Sequence, residues 1–428
     1  MERYSEYKDS GVKWLGEIPS HWELLKSKYL WKETFENSTS GKEDLLSVSQ
    51  YTGVTKSKAD SRSESLIGYK IVHKDDLVIN IMLAWLGGLG VSNDEGVVSP
   101  AYCTYKLIRD YNPKFLHYLY KTPMYLAEFA RHSTGVVPSR WRMYTDDFGQ
   151  VVSLLPPVGE QDAIVRYLDA ATSKIDKAIA MQQKMIDLLN ERKQIIIQNA
   201  VTKGLDENVE MKDSGVEWIG MIPKHWKIKR LKYVMHSYGR IGFRGYGTDD
   251  IVDEGQGAIT LSPSNIQDSS MDYSKKTYLS WKKYYESPEI MIKNGDVLMV
   301  KTGSSYGKCA VVKDLPMECT INPQLVVFKE HKEFSEFLAY SFQTTFAKCF
   351  INTSVIGGTI PTISQEKINN YIFPFPSKSE QQAIVAYLDK EMQRFDSAIT
   401  NCQRQIALLQ ERKQIIINEV VTGKVKVS

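Results

Sequence analysis

Two stretches decide how this chain is built: Glu160–Gly204, EQDAIVRYLDAATSKIDKAIAMQQKMIDLLNERKQIIIQNAVTKG, and Glu380–Lys424, EQQAIVAYLDKEMQRFDSAITNCQRQIALLQERKQIIINEVVTGK. They align without a gap at an offset of 220 residues. Read in sevens, the first places Leu168, Ile175, Gln182, Leu189 and Ile196 on one line, with Thr172, Ile179, Ile186, Lys193 and Ala200 on the next. The second repeats this with Leu388, Phe395, Cys402, Leu409 and Ile416 beside Met392, Ile399, Ile406, Lys413 and Val420. A mostly apolar seam held over four heptads predicts long helices that each pack on a partner helix. Prolines 156, 157 and 376 precede the segments, and Gly204 and Gly423 stand where a helix would stop.

A second repeat precedes each arm. Lys8–Trp22 (KDSGVKWLGEIPSHW) recurs as Lys212–Trp226 (KDSGVEWIGMIPKHW) at an offset of 204, so the second body is 16 residues longer than the first. Ends and arms are alike while the middles differ, which describes a frame carrying two unlike readers. His21 and His225 each adjoin a tryptophan without a second ligand nearby, and read as packed or capping residues.

The bodies read as mixed α+β. Strands are expected at Leu77–Met82, Ala101–Ile108, Asp296–Val300 and Gln324–Phe328, and helices at Pro113–His132 and Glu333–Phe350. The implied boundaries are 1–157 for the first body, 158–204 for the first arm, 205–377 for the second body and 378–428 for the second arm. An arm of about 40 residues is roughly 60 Å long. Only about 15 residues join the first arm to Trp218, spanning at most about 50 Å. That short link favours antiparallel arms with an approximate two-fold axis, two globular bodies and a spacer suited to a linear repeating ligand such as DNA.

Composition narrows the class. With 54 Lys and Arg against 51 Asp and Glu, the net charge of +3 does not by itself imply a polyanion partner. No stretch reads as a signal peptide or membrane span. Five cysteines without CxxC or metal-like spacing read as reduced thiols of a cytoplasmic protein.

The duplicated EQxxIVxYLD…ERKQII arms and the W-[LI]-G-x-I-P-x-H-W body starts resemble the specificity subunit of type I restriction–modification systems. The resemblance spans the chain. It implies two target-recognition domains reading the halves of a split, asymmetric DNA site, and arms that dock two modification methyltransferase subunits. Restriction subunits with nuclease and translocase activity would join them. S-adenosylmethionine, ATP and magnesium belong to those partners, and no cofactor, metal or catalytic residue is expected here. The alternative is a coiled-coil adaptor that holds proteins and does not bind DNA sequence-specifically.

Three near-misses leave that expectation standing. Gly303-Ser-Ser-Tyr-Gly-Lys308-Cys309 is one residue short of a phosphate-binding loop and ends in Cys where Ser or Thr belongs. Asn322-Pro-Gln-Leu lacks the second proline and the aromatic of an adenine-methyltransferase motif. The pairs Asp146-Asp147 and Asp249-Asp250 read as solvated turns.

For DNA contact, basic and aromatic residues in glycine-bearing loops are the signal. In the first body these are Lys56, Lys58, Arg62, Ser139, Arg140, Trp141 and Arg142. In the second they are Arg240, Arg244, Tyr246, Lys301, Ser304, Ser305, Tyr306, Lys308, Gly357 and Gly358. The coiled-coil and partner-docking positions are Leu168, Ile175, Ile179, Ile186, Leu189, Ile196, Leu388, Phe395, Ile399, Ile406, Leu409 and Ile416.

Overall fold

Each arm folds as one helix, Val158–Lys203 and Lys378–Val421. Both start with the same device. The side-chain amides of Gln161 and Gln381, fully buried, donate to the carbonyls of Pro156 and Pro376 (2.8 and 3.2 Å). Both stop at a glycine in the left-handed region, Gly204 (φ 79°) and Gly423 (φ 74°). The computed structural model describes residues 2–57, 65–137, 140–240, 242, 245–267, 269–329, 335–356 and 361–427. These form two compact units, residues 1–183 with 403–428, and residues 184–402.

In the first unit the start of the first arm lies beside the end of the second, so the two run antiparallel. Ile164, Val165 and Leu168 join Ile417, Val420 and Val421 in the body's core, and Lys413 Nζ reaches Asp176 at 2.7 Å. The body is built on an antiparallel sheet whose strands lie in the order Trp31–Thr34, Tyr102–Leu107, Leu77–Asn80, Leu89–Val91. A hairpin, Leu46–Ser49 with Gly53–Lys56, stands beside it. The expected helix over Pro113–His132 is two, α1 (Pro113–Tyr120) and α2 (Pro123–Arg131). Pro123 cannot continue a helix and instead starts the second one, capped by Thr122.

The second unit repeats this plan. The end of the first arm (Ile197, Ala200, Val201) packs on the start of the second (Ile384, Val385, Leu388, Met392), again antiparallel. Lys193 pairs with Asp396 at 2.5 Å; these are the repeat equivalents of Lys413 and Asp176 with the arms exchanged. The sheet order is His236–Gly239, Leu325–Lys329, Val297–Val300, Cys309–Val311, the same path as in the first body. A second sheet, Ile251–Val252, Tyr278–Ser280, Gly257–Leu261 and Cys319–Ile321, with one parallel pair, is built largely from the region where this body is longer. The helical stretch here is also divided, into Ser335–Phe342 and Thr345–Ser354, while Glu333 lies outside the described residues.

All twelve apolar seam positions named from the sequence are buried or half-buried. Toward the C-terminal end of each arm the burial shifts by one residue, so that Ile197 and Ile417 are buried where Ile196 and Ile416 are half-buried. A straight helix turns every 3.6 residues, and a 3.5-residue seam drifts around it.

A shared carboxylate fastens each arm to a body. Glu160 accepts from the indole of Trp22 (3.1 Å) and lies 2.8 Å from His21 Nε2, with Tyr4 donating its hydroxyl to the same group. Glu380 accepts from Trp226 (3.2 Å) and lies 2.7 Å from His225 Nε2. At its other end each arm meets the opposite motif. Gly204 rests against Trp226 and Pro223, and Gly423 against Trp22 and Pro19, at distances that leave no room for a larger residue without displacement.

Two outcomes are expected. Replacing Ile179 and Ile399, both half-buried, with Asp should lower the thermal midpoint by several degrees, each carboxylate costing on the order of 2 kcal/mol; an unchanged midpoint would mean the seam is wrongly placed. Partial burial pushes the Glu380 carboxyl up, but hydrogen bonds from His225, Ser377 and Trp226 outweigh it and hold the group at about 2. Because the folded value lies below the ordinary one, this stabilisation is present above about 4.5 and is lost as the pH falls toward about 2. A Glu380→Gln variant should show a shallower loss of stability than wild type across that window in an acid titration followed by circular dichroism.

Candidate nucleic-acid interface

Lys301, Ser304, Ser305, Tyr306 and Lys308 lie in one loop of the second body, and Arg140, Trp141 and Arg142 in a different loop of the first; each body has both loops, joined in the same way. The first of these loops connects the last two strands of the sheet, which form a hairpin: residues 81–88 in the first body, 301–308 in the second. The other follows the helix pair; its described residues are 133–137 and 140–142 in the first body, and 355, 356 and 361 in the second. Met143 N donates to Ile81 O (3.0 Å), and Ile363 N donates to Lys301 O (2.9 Å). All four positions correspond at the offset of 220, so backbone hydrogen bonds set the same loop pair in both bodies whatever the side chains.

In the second body the loop at 301–308 carries five of the sequence candidates. Ser304 and Lys308 are exposed, and Ser305 is half-buried. Tyr306 donates its hydroxyl to Asn352 Oδ1 (3.0 Å), at the edge of a cleft of about 500 Å³ that Ser304, Lys308 and Lys348 also line. Gly303 (φ 105°) and Gly307 (φ 81°) supply the left-handed backbone that closes the turn. Lys301 is half-buried and its amine is pushed below its ordinary value by burial, so its main contribution is the backbone pairing.

Arg240 is different. It is 4% exposed, its Nε donates to Ile321 O (3.0 Å) and its Nη2 to Thr320 Oγ1 (3.0 Å), and its guanidinium lies over the Tyr246 ring. It holds the two sheets together and does not offer itself to a ligand. Tyr246 is half-buried in the same contact.

In the first body Arg140 is exposed, while Arg142 and Trp141 are half-buried. Thr134 and Arg142 pair across the loop, and the Trp141 ring meets Trp85 edge-on at 5.3 Å. Lys56 lies elsewhere, at the end of the hairpin, and pairs with Asp44 at 2.6 Å with both partners solvated. Lys58, Arg62, Ser139, Arg244, Gly357 and Gly358 lie outside the described residues.

A residue set chosen by charge and aromaticity passes over the loop at 81–88. Its tip is Met82, Leu83 and Leu86, all exposed, beside Trp85. The signal was available: the 220-residue offset that aligns the arms maps residues 301–308 onto it.

Among the described residues no cluster of three or more His, Cys, Asp or Glu could hold a metal ion, and no helix is long and apolar enough to cross a membrane. The near-miss motifs have structural partners. Asn322 Oδ1 accepts from Gln324 N ahead of a strand, and Asp147 and Asp250 cap short helical turns through Tyr144 N and Gly247 N.

Residues 223–410 match the model of the type I restriction modification DNA specificity domain. The MjaVIII specificity subunit of Methanocaldococcus jannaschii is 24% identical over 64% of this chain and 62% of its own length. The putative MjaX specificity subunit of the same organism is 22% identical over 96% of both chains. A solved chain described under complex assembly and conformational transition of the type I R-M system superposes with a TM-score of 0.71 at 16% identity, covering 95% of this chain and 99% of that one. Over residues 223–410 this chain carries the type I restriction modification DNA specificity domain, and over a longer stretch it is similar to type I restriction enzyme specificity subunits.

For a specificity subunit the contrast between Arg240 and Lys308 is testable. Arg240→Ala should destabilise the second unit by about 2 kcal/mol through lost charged hydrogen bonds. Lys308→Ala should leave the thermal midpoint nearly unchanged and lower the slope of log affinity for DNA against log salt by about one. Equal thermal midpoints for the two variants would contradict the assignment.

Proposed function

We propose that this chain is the DNA-reading subunit of a type I restriction–modification complex. It binds a bipartite, asymmetric site on double-stranded DNA and directs adenine N6 methylation, and restriction, by other subunits. The observation that carries the reading is the matched loop pair: one backbone position in each body, fixed by equivalent hydrogen bonds, filled with unlike side chains. Unlike loops on a common frame are what two different half-sites require.

In this reading the chain itself is not catalytic. Two methyltransferase subunits dock on the arms, which leave Ile195 and Ile415 of the ERKQIII runs, and Leu188 and Leu408 just before them, exposed as apolar contacts. Restriction subunits complete the assembly. S-adenosylmethionine, ATP and magnesium are held by those partners, and the complex acts in the cytoplasm.

The decisive experiment is to sequence methylated adenines in cells with and without this gene. One split motif with two different halves is expected to vanish when the gene is removed. The purified chain with its methyltransferase should retard that duplex in preference to a scrambled one. Equal retardation at every salt concentration would refute the assignment.

A further inference from the structure

The loop at residues 81–88 carries chemistry that charge-based reading of DNA leaves unexplained. Its equivalent at 301–308 is polar, whereas this one exposes Met82 and Leu83 at its tip, and Tyr51, 83% exposed, stands on the neighbouring hairpin turn. Large apolar side chains gathered at a loop tip on a soluble protein mark a contact surface.

The tip is held firmly. Lys121, at the end of α1, donates through Nζ to the carbonyls of Gln50 (2.8 Å), Gly87 (2.7 Å) and, more distantly, Ser49 (3.5 Å). That one ammonium ties the hairpin turn bearing Tyr51 to the end of the apolar loop. One helical turn earlier, half-buried His117 accepts at Nδ1 from Val91 N (3.1 Å), just past the loop; desolvation holds it at about 4, so it is neutral at neutral pH. At the loop's start, buried Asn80 accepts at Oδ1 from Met82 N (3.2 Å).

The surroundings favour a polyanion. Residues 49–53, 81–88 and the described part of 133–142 contain no Asp or Glu, while Arg142 lies against the tip, its Nη2 3.9 Å from Met82 Sδ, and the same loop exposes Arg140. In the major groove the thymine 5-methyl is the apolar group that base pairs present.

We propose that Met82 and Leu83, with Tyr51 beside them, read the first half-site by packing on thymine 5-methyl groups, and that Lys121 is the positioning residue that sets them. The inference rests on the DNA-reading function proposed above. The second body, with Ser304, Ser305 and Lys308 at the same place, reads its half-site by hydrogen bonds.

The test uses the full chain with its methyltransferase, on duplexes carrying the split site identified by methylation sequencing. Thymines are replaced by uracil one at a time in both halves. Wild type should lose about fourfold in affinity per contacted methyl, the worth of one buried methylene-sized group, at positions in one half-site only. A Met82→Ser, Leu83→Ser variant, altered at exposed positions, should be insensitive to those replacements and keep its preference in the other half. Uracil duplexes that bind like thymine ones, or a variant that keeps wild-type sensitivity, would overturn the proposal. So would a variant that binds DNA normally but no longer co-purifies with the methyltransferase, which would make the tip a protein contact. A wild type without any split site fails earlier, at the sequencing step, and overturns the function and this inference together.

Discussion

The carboxylate at the head of each arm is the contact on which the rest depends. A 46-residue helix has no intrinsic reason to leave its body in one direction. Glu160 supplies one by accepting from the Trp22 indole while lying against His21, and Glu380 does the same for Trp226 and His225. Charge-assisted bonds to a buried indole N–H are directional, so helix and body start are oriented together. The far end of each arm then closes on the other motif through a glycine against tryptophan and proline. Each tryptophan therefore serves two helices, one through its N–H and one through its ring. This explains why such a large residue recurs at the same place in both halves.

With the frame set in this way, the readers are free to diverge. The sheets of the two bodies follow one path although their sequences differ, because the path is specified by short, buried, mostly apolar strands and by backbone pairing. The loop pair depends on main-chain donors and acceptors, Met143 with Ile81 and Ile363 with Lys301. Exposed side chains on such loops contribute little to stability and can be exchanged at small cost. One body therefore carries Gly-Ser-Ser-Tyr and the other Leu-Ala-Trp-Leu at the same four positions of the turn.

Much of this was legible in the sequence. The arms, their antiparallel packing and the duplicated motifs follow from heptads, a fixed offset and a short link. What charge and composition could not disclose was burial. Arg240 sits among glycines as a ligand-binding arginine would, yet the extra sheet of the second body closes over it. From sequence, Met82 at the apolar tip reads as the end of a strand, since only Asn80 interrupts the apolar run Leu77–Met82. The turn there is made by Asn80 and by Gly87 and Gly88, which only three-dimensional contacts distinguish from ordinary strand punctuation. From sequence the histidines read as packed or capping residues; spacing across 139 and 155 residues does not reveal that their partners lie in the first turns of the arms.

The polar interruptions of the seam have a physical purpose of their own. Lys193 and Lys413 occupy positions where an aliphatic residue would pack better, and both are only about a quarter exposed. Each crosses to an aspartate on the opposite arm, Asp396 or Asp176, which is largely in solvent, so neither pair adds much to stability. Sliding one arm past the other by a heptad would preserve most apolar contacts. It would also leave two half-buried ammonium groups opposite the wrong residues. An uncompensated charge is costly where a matched one is nearly neutral, so these pairs select the register. In a protein whose two halves must meet their ligand at defined positions, a seam made uniformly of leucine would hold more tightly and specify less.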